Sequence, residues 1–348
     1  MKENIKLLTS LALLFSTSSA FAIEISKHLS TIIDPEPLVR VPPKYPIKAA
    51  RENRSGWTKF SFIIEKDGSV SNILELDSSG SEDFSKAAVK ALKKWQYQPA
   101  MENGQPIQQC INTVQLDFKM AQNKSGGVRR RFKKTYNSAM EALNEKKFEK
   151  VEALITKLAS YKYRHATENN FLHLISSEYY EALGDKQKQL TSLNKVRFSY
   201  DNVISDRHML SVLNKQFLLS VHLNKFHSAY NAYERIKKLD ITKPNMENYD
   251  KVIAQIDEFI GGDQDIVVVA DIDDKDFWRY PLIRNEFSLI DISGSLNKLD
   301  VRCANKRHVY TVEENNTWSI PQSWKNCSVL VYGDDNTRFK LVEHPLKS

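Results

Sequence analysis

The run YPIKAARENRSGWTKFSFIIEKDGSV, residues 45–70, decides how this sequence folds. Pro46 suits the first turn of a helix, where an N–H group would have no partner, so a short helix is predicted directly after it. Apolar and polar residues then alternate over 57–65, which predicts a strand with one buried face. Asp67-Gly68 has the composition of a tight hairpin turn, so a second strand, antiparallel to the first, is expected beyond it.

The second half of this unit, residues 81–119, predicts a helix followed by a final strand. Ser81 is a suitable helix N-cap, and apolar residues recur after it at the spacing of one helical face. Those apolar residues are Phe84, Ala87, Ala88, Ala91, Leu92 and Trp95. Pro99 ends the helix, Asn103-Gly104 turns the chain, and alternation predicts a strand over 111–119. The side chains expected to face inward are Val114, Leu116 and Phe118, and those expected to face outward are Thr113, Gln115 and Asp117.

A series of short motifs runs through this unit in a fixed order. They are Tyr45-Pro46, Gly56-Trp57, Asp67-Gly68-Ser69-Val70, Trp95-Gln96-Tyr97-Gln98-Pro99-Ala100 and Asn103-Gly104-Gln105-Pro106-Ile107. With them the unit resembles the C-terminal domain of the TonB family, the periplasmic energy transducers of Gram-negative bacteria. The resemblance implies that the final strand captures an extended peptide by strand addition, and that an outer-membrane TonB-dependent transporter supplies this peptide.

The same resemblance implies which residues bind the partner. They are Tyr45, Pro46, Ile111, Asn112, Thr113, Val114, Gln115, Leu116, Asp117 and Phe118. A homodimer formed through the same strand is the alternative use of this edge.

The chain begins with the features of a cleavable secretory signal over residues 1–22. Lys2 and Lys6 precede an apolar run over 7–15, which is about half of the ~20 residues that a membrane-spanning helix needs. We therefore expect cleavage after Ala22, no membrane span in the mature protein and a periplasmic location; an uncleaved anchor is the alternative. The chain departs here from the TonB family, whose members keep an N-terminal membrane helix and a long proline-rich spacer.

Residues 125–262 are predicted to form an all-α block that follows a linker at Ser125-Gly126-Gly127. Leu143, Leu183 and Leu223 each stand at a predicted helix–turn–helix corner and are spaced by 40 residues. Periods of this size indicate stacked helical hairpins. The block resembles degenerate tetratricopeptide repeats, which implies a docking surface for a second protein; an irregular helical bundle is the alternative.

Charge is concentrated in the helical block. The whole chain has a formal net charge of +7, and residues 125–262 hold most of the excess of Lys and Arg. A basic surface can bind nucleic acid, but a secreted protein rarely meets it, so we expect no nucleic-acid partner. Attraction to an acidic membrane surface or an acidic protein stays open.

Residues 263–348 follow Gly261-Gly262 and change to a period of two, which predicts a small β-sandwich or barrel. The predicted strands are 266–272, 287–292, 299–303, 308–312, 329–332 and 338–342. Two of the three cysteines, Cys303 and Cys327, lie in this region. Because cysteines pair in an oxidising compartment, we expect a disulfide between them and a free thiol at Cys110.

The sequence contains no recognisable arrangement of catalytic residues. The eight histidines are scattered, and the sequence contains no phosphate-binding glycine loop and no nucleophile elbow. Asp271, Asp273, Asp274 and Asp276 crowd one turn but lack the glycine and the closing glutamate of a calcium loop, so a solvated turn is predicted. We expect neither enzyme activity nor a cofactor or metal.

The sequence therefore predicts a multidomain α+β protein. A signal peptide (1–22) precedes a TonB-like α/β domain (23–124), a helical-repeat domain (125–262) and a β-sandwich-like domain (263–348). The predicted function is capture of transporter peptides in support of energised outer-membrane transport. An envelope scaffold or adaptor without a transport role is the alternative.

Overall fold

The computed structural model describes residues 32–345, apart from 53, 80, 120–127, 162, 163, 165, 197–204 and 274. The predicted signal peptide, the predicted linker at residues 125–127 and one aspartate of the acidic turn, at position 274, lie outside the described residues. None of the helices in the described part is both long enough and apolar enough to cross a membrane.

The first unit holds two helices and eight strands. They are β1 (Ile32–Ile33), β2 (Glu36–Val39), α1 (Ile47–Arg51), β3 (Gly56–Ile64), β4 (Val70–Ser78), α2 (Glu82–Leu92), β5 (Gln96–Gln98), β6 (Ala100–Glu102), β7 (Gln105–Ile107) and β8 (Gln109–Phe118). Its main sheet is antiparallel in the order β4-β3-β8. The predicted helix, hairpin, helix and final strand are all present. The short strands β1, β2 and β5–β7 were not predicted, because two to four residues cannot display a period of two.

Aromatic packing joins α2 to the inner face of the main sheet. The Phe84 and Phe118 rings stack with centroids 4.5 Å apart, and Tyr45 meets both rings edge-on. Ser81 occupies the N-cap position of α2 as predicted, but its side chain makes no capping bond. The buried Arg54 guanidinium instead reaches this end of the helix and donates to Oδ1 of Asp83 at 2.9 Å. That hydrogen bond holds the pKa of Asp83 below its usual value.

The middle of the chain is helical. Its elements are α3 (Arg130–Asn144), α4 (Phe148–Ser160), α5 (Ala166–Leu183), α6 (Lys186–Asn194), α7 (Asp206–His222), α8 (Phe226–Lys237), a 3₁₀ helix (Asp240–Asn245) and α9 (Met246–Gly261). Consecutive helices pack as the pairs α3–α4, α5–α6 and α7–α8. Whether these pairs are tetratricopeptide-like repeats stays a prediction.

The three helix pairs turn through the same kind of helix end, which corrects the predicted repeat register. A residue with positive φ follows α3, α5 and α7: Lys146, Gly184 and Asn224. In each case the next N–H bonds to a carbonyl five residues earlier, as in a Schellman cap. These residues are spaced by 38 and 40, so Leu143 is not structurally equivalent to Leu183 and Leu223. The leucine spacing alone missed this, because Leu143 stands three residues before the positive-φ residue, whereas Leu183 and Leu223 stand one residue before it.

The last region contains eight strands. They are β9 (Ile266–Ile272), β10 (Phe277–Pro281), β11 (Glu286–Ser293), β12 (Leu296–Arg302), β13 (Arg307–Tyr310), β14 (Thr317–Ser319), β15 (Ser328–Gly333) and β16 (Thr337–His344). They form two antiparallel sheets, in the orders β10-β15-β12-β13 and β14-β11-β16-β9. All six predicted strands occur. The strands β10 and β14 were not predicted as strands.

One hydrophobic cluster includes residues from both of these sheets and from helices α7–α9, so it crosses residue 262, where the sequence suggested a domain boundary. Arg284, just after β10, strengthens this junction. Its buried guanidinium donates to the carbonyls of Phe259, Ile260 and Gly262 at the end of α9, at 3.0–3.2 Å. The helices and sheets are therefore fixed to each other by packing and by hydrogen bonds.

Candidate partner-binding edge

The strand β8 lies at one edge of the first unit's main sheet. Its register against β3 pairs Leu116 with Thr58 and Val114 with Phe60. The carbonyl of Trp57 accepts the N–H of Ser79 on the side of β4. Backbone N–H and C=O groups alternate in direction along a strand. Those of Thr58 and Phe60 therefore point toward β8, where they bond the backbone of Leu116 and Val114. The N–H and C=O groups of the intervening β8 residues consequently point away from the sheet.

The side chains along β8 also alternate as predicted. Thr113, Gln115 and Asp117 are exposed, whereas Val114 and Leu116 are half-buried against the core. Gln115 Nε2 donates to Oδ1 of Asp117 at 2.9 Å, so these two polar side chains interact with each other on the exposed face.

The other predicted site residues fall into two groups. Phe118 is buried and touches Tyr45, and Pro46 is the residue that precedes α1, so the structure brings these three positions together behind the end of β8. Ile111 and Asn112 lie at the other end of the strand, where the register against β3 shifts. Asn112 Nδ2 donates to the carbonyl of Gln109 at 3.0 Å across this irregularity.

The last region packs against this end of the TonB-like unit, which the sequence did not indicate. Cys110 N–H of β8 donates to the carbonyl of Ala304 at 3.2 Å. Arg302, 1% exposed, donates from Nη2 to Oδ1 of Asn72 on β4 at 2.8 Å. The start of the outer edge of β8 is therefore engaged by the protein itself, and Thr113, Gln115 and Asp117 lie beyond this engaged part. Contacts between residues about 200 positions apart leave no periodic signal in a sequence.

A buried ion network supports that contact. Asp300 is fully buried and accepts from Arg302 Nη2 at 2.7 Å and from Arg307 Nε at 2.9 Å. Burial by itself raises the pKa of Asp300, but the hydrogen bonds from Arg307 and Arg302 outweigh it and lower the pKa below its usual value. The carboxylate thus fixes the arginine that reaches the TonB-like unit.

The three cysteines lie near the same junction. Cys303 and Cys327, the predicted pair, are joined by a disulfide in the structure, and Cys110 is a buried free cysteine. Burial raises the pKa of the Cys110 thiol to about 12. Since the thiolate is the reactive form, this thiol is expected to be inert in the folded protein.

We expect iodoacetamide to leave Cys110 unmodified in the native protein at neutral pH and to modify it fully after denaturation. Peptide mapping without reductant should recover the peptides of Cys303 and Cys327 joined. Mass spectrometry of both samples makes this measurement. A bridge that contains Cys110, or rapid labelling of the native thiol, would contradict the burial seen here.

The acidic turn offers no metal site in the described residues, where no group of three or more His, Cys, Asp or Glu side chains is placed to hold an ion. Asp271 instead accepts from Arg338 Nε at 3.1 Å on the neighbouring strand.

Comparison with known proteins identifies the class of the first unit. Residues 41–120 match the family model described as Gram-negative bacterial TonB protein C-terminal. The resemblance to the TonB family is confirmed for this segment.

Two curated relatives from Pseudomonas aeruginosa match the same part of the chain. Protein tonB2 is 36% identical over 78 residues, which cover 22% of this chain and 28% of that protein. Protein TonB is 33% identical over 74 residues, which cover 21% of this chain and 22% of that protein. The chain thus spans about a quarter of the length of these curated relatives.

Two solved structures are also similar. The solution structure of the Pseudomonas aeruginosa TonB C-terminal domain is 31% identical, with 26% of this chain and 89% of that chain covered and a TM-score of 0.23. The TonB2 protein of Vibrio anguillarum is 29% identical, with 35% and 100% covered and a TM-score of 0.22.

Proposed function

We propose that this chain is a periplasmic TonB-like binding protein that captures an extended peptide at β8 and supports energised outer-membrane transport. The observation that carries the proposal is the position of β8 at the edge of the sheet, with the outward backbone groups of Thr113, Gln115 and Asp117 directed away from β3. The partner is the N-terminal segment of an outer-membrane TonB-dependent transporter. The match of residues 41–120 to the TonB C-terminal family supports this choice.

Strand addition draws its affinity from main-chain hydrogen bonds, and side chains that face alternately inward and outward supply specificity. Each main-chain bond contributes roughly 0.5–1.5 kcal/mol net. A proline in the middle of the added pair removes one donor, and its ring also hinders close approach of the two strands. A proline there is consequently more damaging than the loss of a side chain.

We expect Gln115→Pro to abolish binding of transporter N-terminal peptides and Gln115→Ala to leave it nearly intact. The N–H of Gln115 points outward, so proline removes a donor that the ladder with β3 does not use, and edge strands tolerate proline. Fluorescence anisotropy with labelled peptides measures the effect.

Circular dichroism and thermal melting of both variants show whether the fold survives. Wild-type affinity in a folded Gln115→Pro protein would overturn strand addition at β8. A Gln115→Pro variant that instead turns a dimeric wild-type protein into a monomer, without a change in peptide binding, would assign the same edge to a homodimer.

The helical region supports a second role in this proposal, as a docking surface for another envelope protein. If the chain does not bind a transporter, the same arrangement of domains would serve an envelope scaffold or adaptor. Crosslinking in cells followed by co-purification distinguishes these roles, because an adaptor recovers envelope proteins but no transporter.

A further inference from the structure

A cleft of about 710 Å³ opens beside the edge of β8. The TonB-like sheet lines it with Lys59, Ile111 and Thr113, and the last region also lines it, with Arg279 from β10. Helices α8 and α9 contribute to its wall as well. Because Thr113 belongs to the outward-directed part of β8, a strand added to that edge lies next to the cleft.

The charged side chains of this cleft are mostly positive. Among the lining residues that the structure describes, the Lys and Arg side chains are Lys59, Arg279, Arg284 and Lys325, and the one Asp or Glu is Asp257. Asp257 accepts from the hydroxyl of Tyr230, and Arg284 is engaged by the carbonyls at the end of α9. A cleft with an excess of positive charge attracts anionic ligands.

Arg279 is the basic group best placed to act on a ligand. Its Nη2 donates to Oγ of Ser328 at 3.2 Å, and no carboxylate in the described part of the chain forms an ion pair with it. Burial lowers the pKa of Arg279, and the nearby charge of Arg302 lowers it further. A guanidinium that is taken out of water without a counter-ion is costly, so an anion bound there would be stabilised.

The rim of the cleft also suits a peptide. Tyr230 and Trp324 supply aromatic surface, and exposed Lys325 stands beside Trp324 in the chain. Peptide sites combine apolar and aromatic walls with a few charged groups that fix orientation. A small inorganic anion would use the charge but not these walls.

We propose that this cleft binds an acidic segment of the same extended peptide that adds to β8. The inference rests on the proposed function. It assigns the last region a part in choosing the partner, because β10 and the turn before β15 supply the arginine, lysine and tryptophan. The main-chain bonds at β8 hold any extended peptide, and the cleft favours one that carries Asp or Glu next to the added strand.

The test compares two labelled synthetic peptides on the full-length mature chain. Both have a core of alternating valine and threonine of about ten residues, the length of a long strand. One peptide carries a run of glutamate next to the core, and the other carries a run of glutamine there. Each peptide is made in two versions, with the run before the core or after it. We expect the glutamate peptide to bind about tenfold more tightly, and we expect this preference to fall with added salt.

Substitutions in the chain then identify the residues that cause the preference for the glutamate peptide. Arg279→Gln and the exposed-site variant Lys325→Gln should each reduce the glutamate preference to less than about threefold while the glutamine peptide binds as before. Arg338→Gln removes an arginine of β16 whose side chain is 72% exposed, outside the cleft lining, and should keep the full preference. Thermal melting shows whether Arg279→Gln, which alters a half-buried residue, remains folded. If this variant unfolds, Lys325→Gln alone tests the cleft.

The outcomes separate the two proposals. Equal binding of both peptides, lost in Gln115→Pro, would keep strand addition and overturn the acidic cleft. A glutamate preference that Arg338→Gln removes as strongly as Arg279→Gln would reflect overall charge and also overturn it. If neither peptide binds at concentrations up to about millimolar, and transporter peptides fail as well, both proposals are wrong.

Discussion

Gly68→Ala is expected to destabilise the TonB-like unit by about 3 kcal/mol or more. Gly68 has φ +80° in the turn between β3 and β4, where a residue with a side chain costs about 1–2 kcal/mol. In addition, a Cβ at this position would lie 1.8 Å from the carbonyl oxygen of Tyr97. That oxygen belongs to the backbone of β5, and the N–H of Tyr97 donates to the Gly68 carbonyl at 2.9 Å. Neither the turn that holds Gly68 nor β5 can move away without losing this hydrogen bond.

Gly104→Ala is the matched control for this substitution. Gly104 has nearly the same backbone conformation, with φ +78°, but no atom lies within 4 Å of the position of its Cβ. The free energy of unfolding of this variant should fall only by the cost of the backbone conformation, about 1–2 kcal/mol. Hydrogen exchange of the peptides that cover β3, β4 and β5 measures the local free energy of opening. Equal losses in the two variants would mean that the approach of Tyr97 does not constrain the turn.

Arg284→Ala is expected to cost about 3 kcal/mol of stability at the junction of α9 and the last region, because several charge-assisted hydrogen bonds are lost together. The guanidinium is 3% exposed and donates to the carbonyls of Ile260 and Gly262, where α9 ends and its last carbonyls lack partners within the helix. It also donates from Nη1 to the carbonyl of Gln264 at 2.6 Å. Alanine would remove these donors from the carbonyls of Ile260, Gly262 and Gln264, whereas the Phe259 carbonyl would keep the N–H of Gly262. A lysine should recover only part of the loss, because one ammonium cannot replace a planar fork of donors.

The control here is Arg338→Ala, which removes an exposed ion pair with Asp271 and should change stability by no more than about 1 kcal/mol. Urea unfolding measures the global stability of both variants, and hydrogen exchange in α9 and β11 measures the local free energy of opening. A loss in Arg284→Ala no larger than that in Arg338→Ala would show that the end of α9 does not depend on this side chain.

The elements that the sequence predicted are those whose signal is local. The alternation around Phe60, the stripe that contains Phe84 and the positive-φ turn at Asn103-Gly104 each depend on residues within a few positions of one another. The structure contains this strand, this helix and this turn, with Asn103 and Gly104 both at positive φ. The prediction of one buried face was wrong for β3, because residues on both of its faces are buried. The strand β10 was not predicted as a strand, because Phe277–Pro281 does not alternate between apolar and polar residues. Its partner β15 lies about 50 residues further along the chain.

The repeat register shows how a local pattern can mislead. Leu143, Leu183 and Leu223 suggested a constant period, yet the chain turns two residues later after α3 than the leucine spacing implies. A helix end is decided by which carbonyls find a partner, and a single leucine per repeat does not encode that.

By itself, the sequence determined the TonB-like unit, its final strand and the alternation of Thr113, Gln115 and Asp117 with Val114 and Leu116. Local periodicity and turn chemistry are sufficient for this, because they depend on backbone geometry over short distances. Only the tertiary structure decided that β8 forms the sheet edge, that Ala304 engages its first part and that Arg279 lines a cleft beside the rest. Each of these depends on which distant surfaces pack together, and the free energy of that packing comes from burial and hydrogen bonds between residues about 200 positions apart.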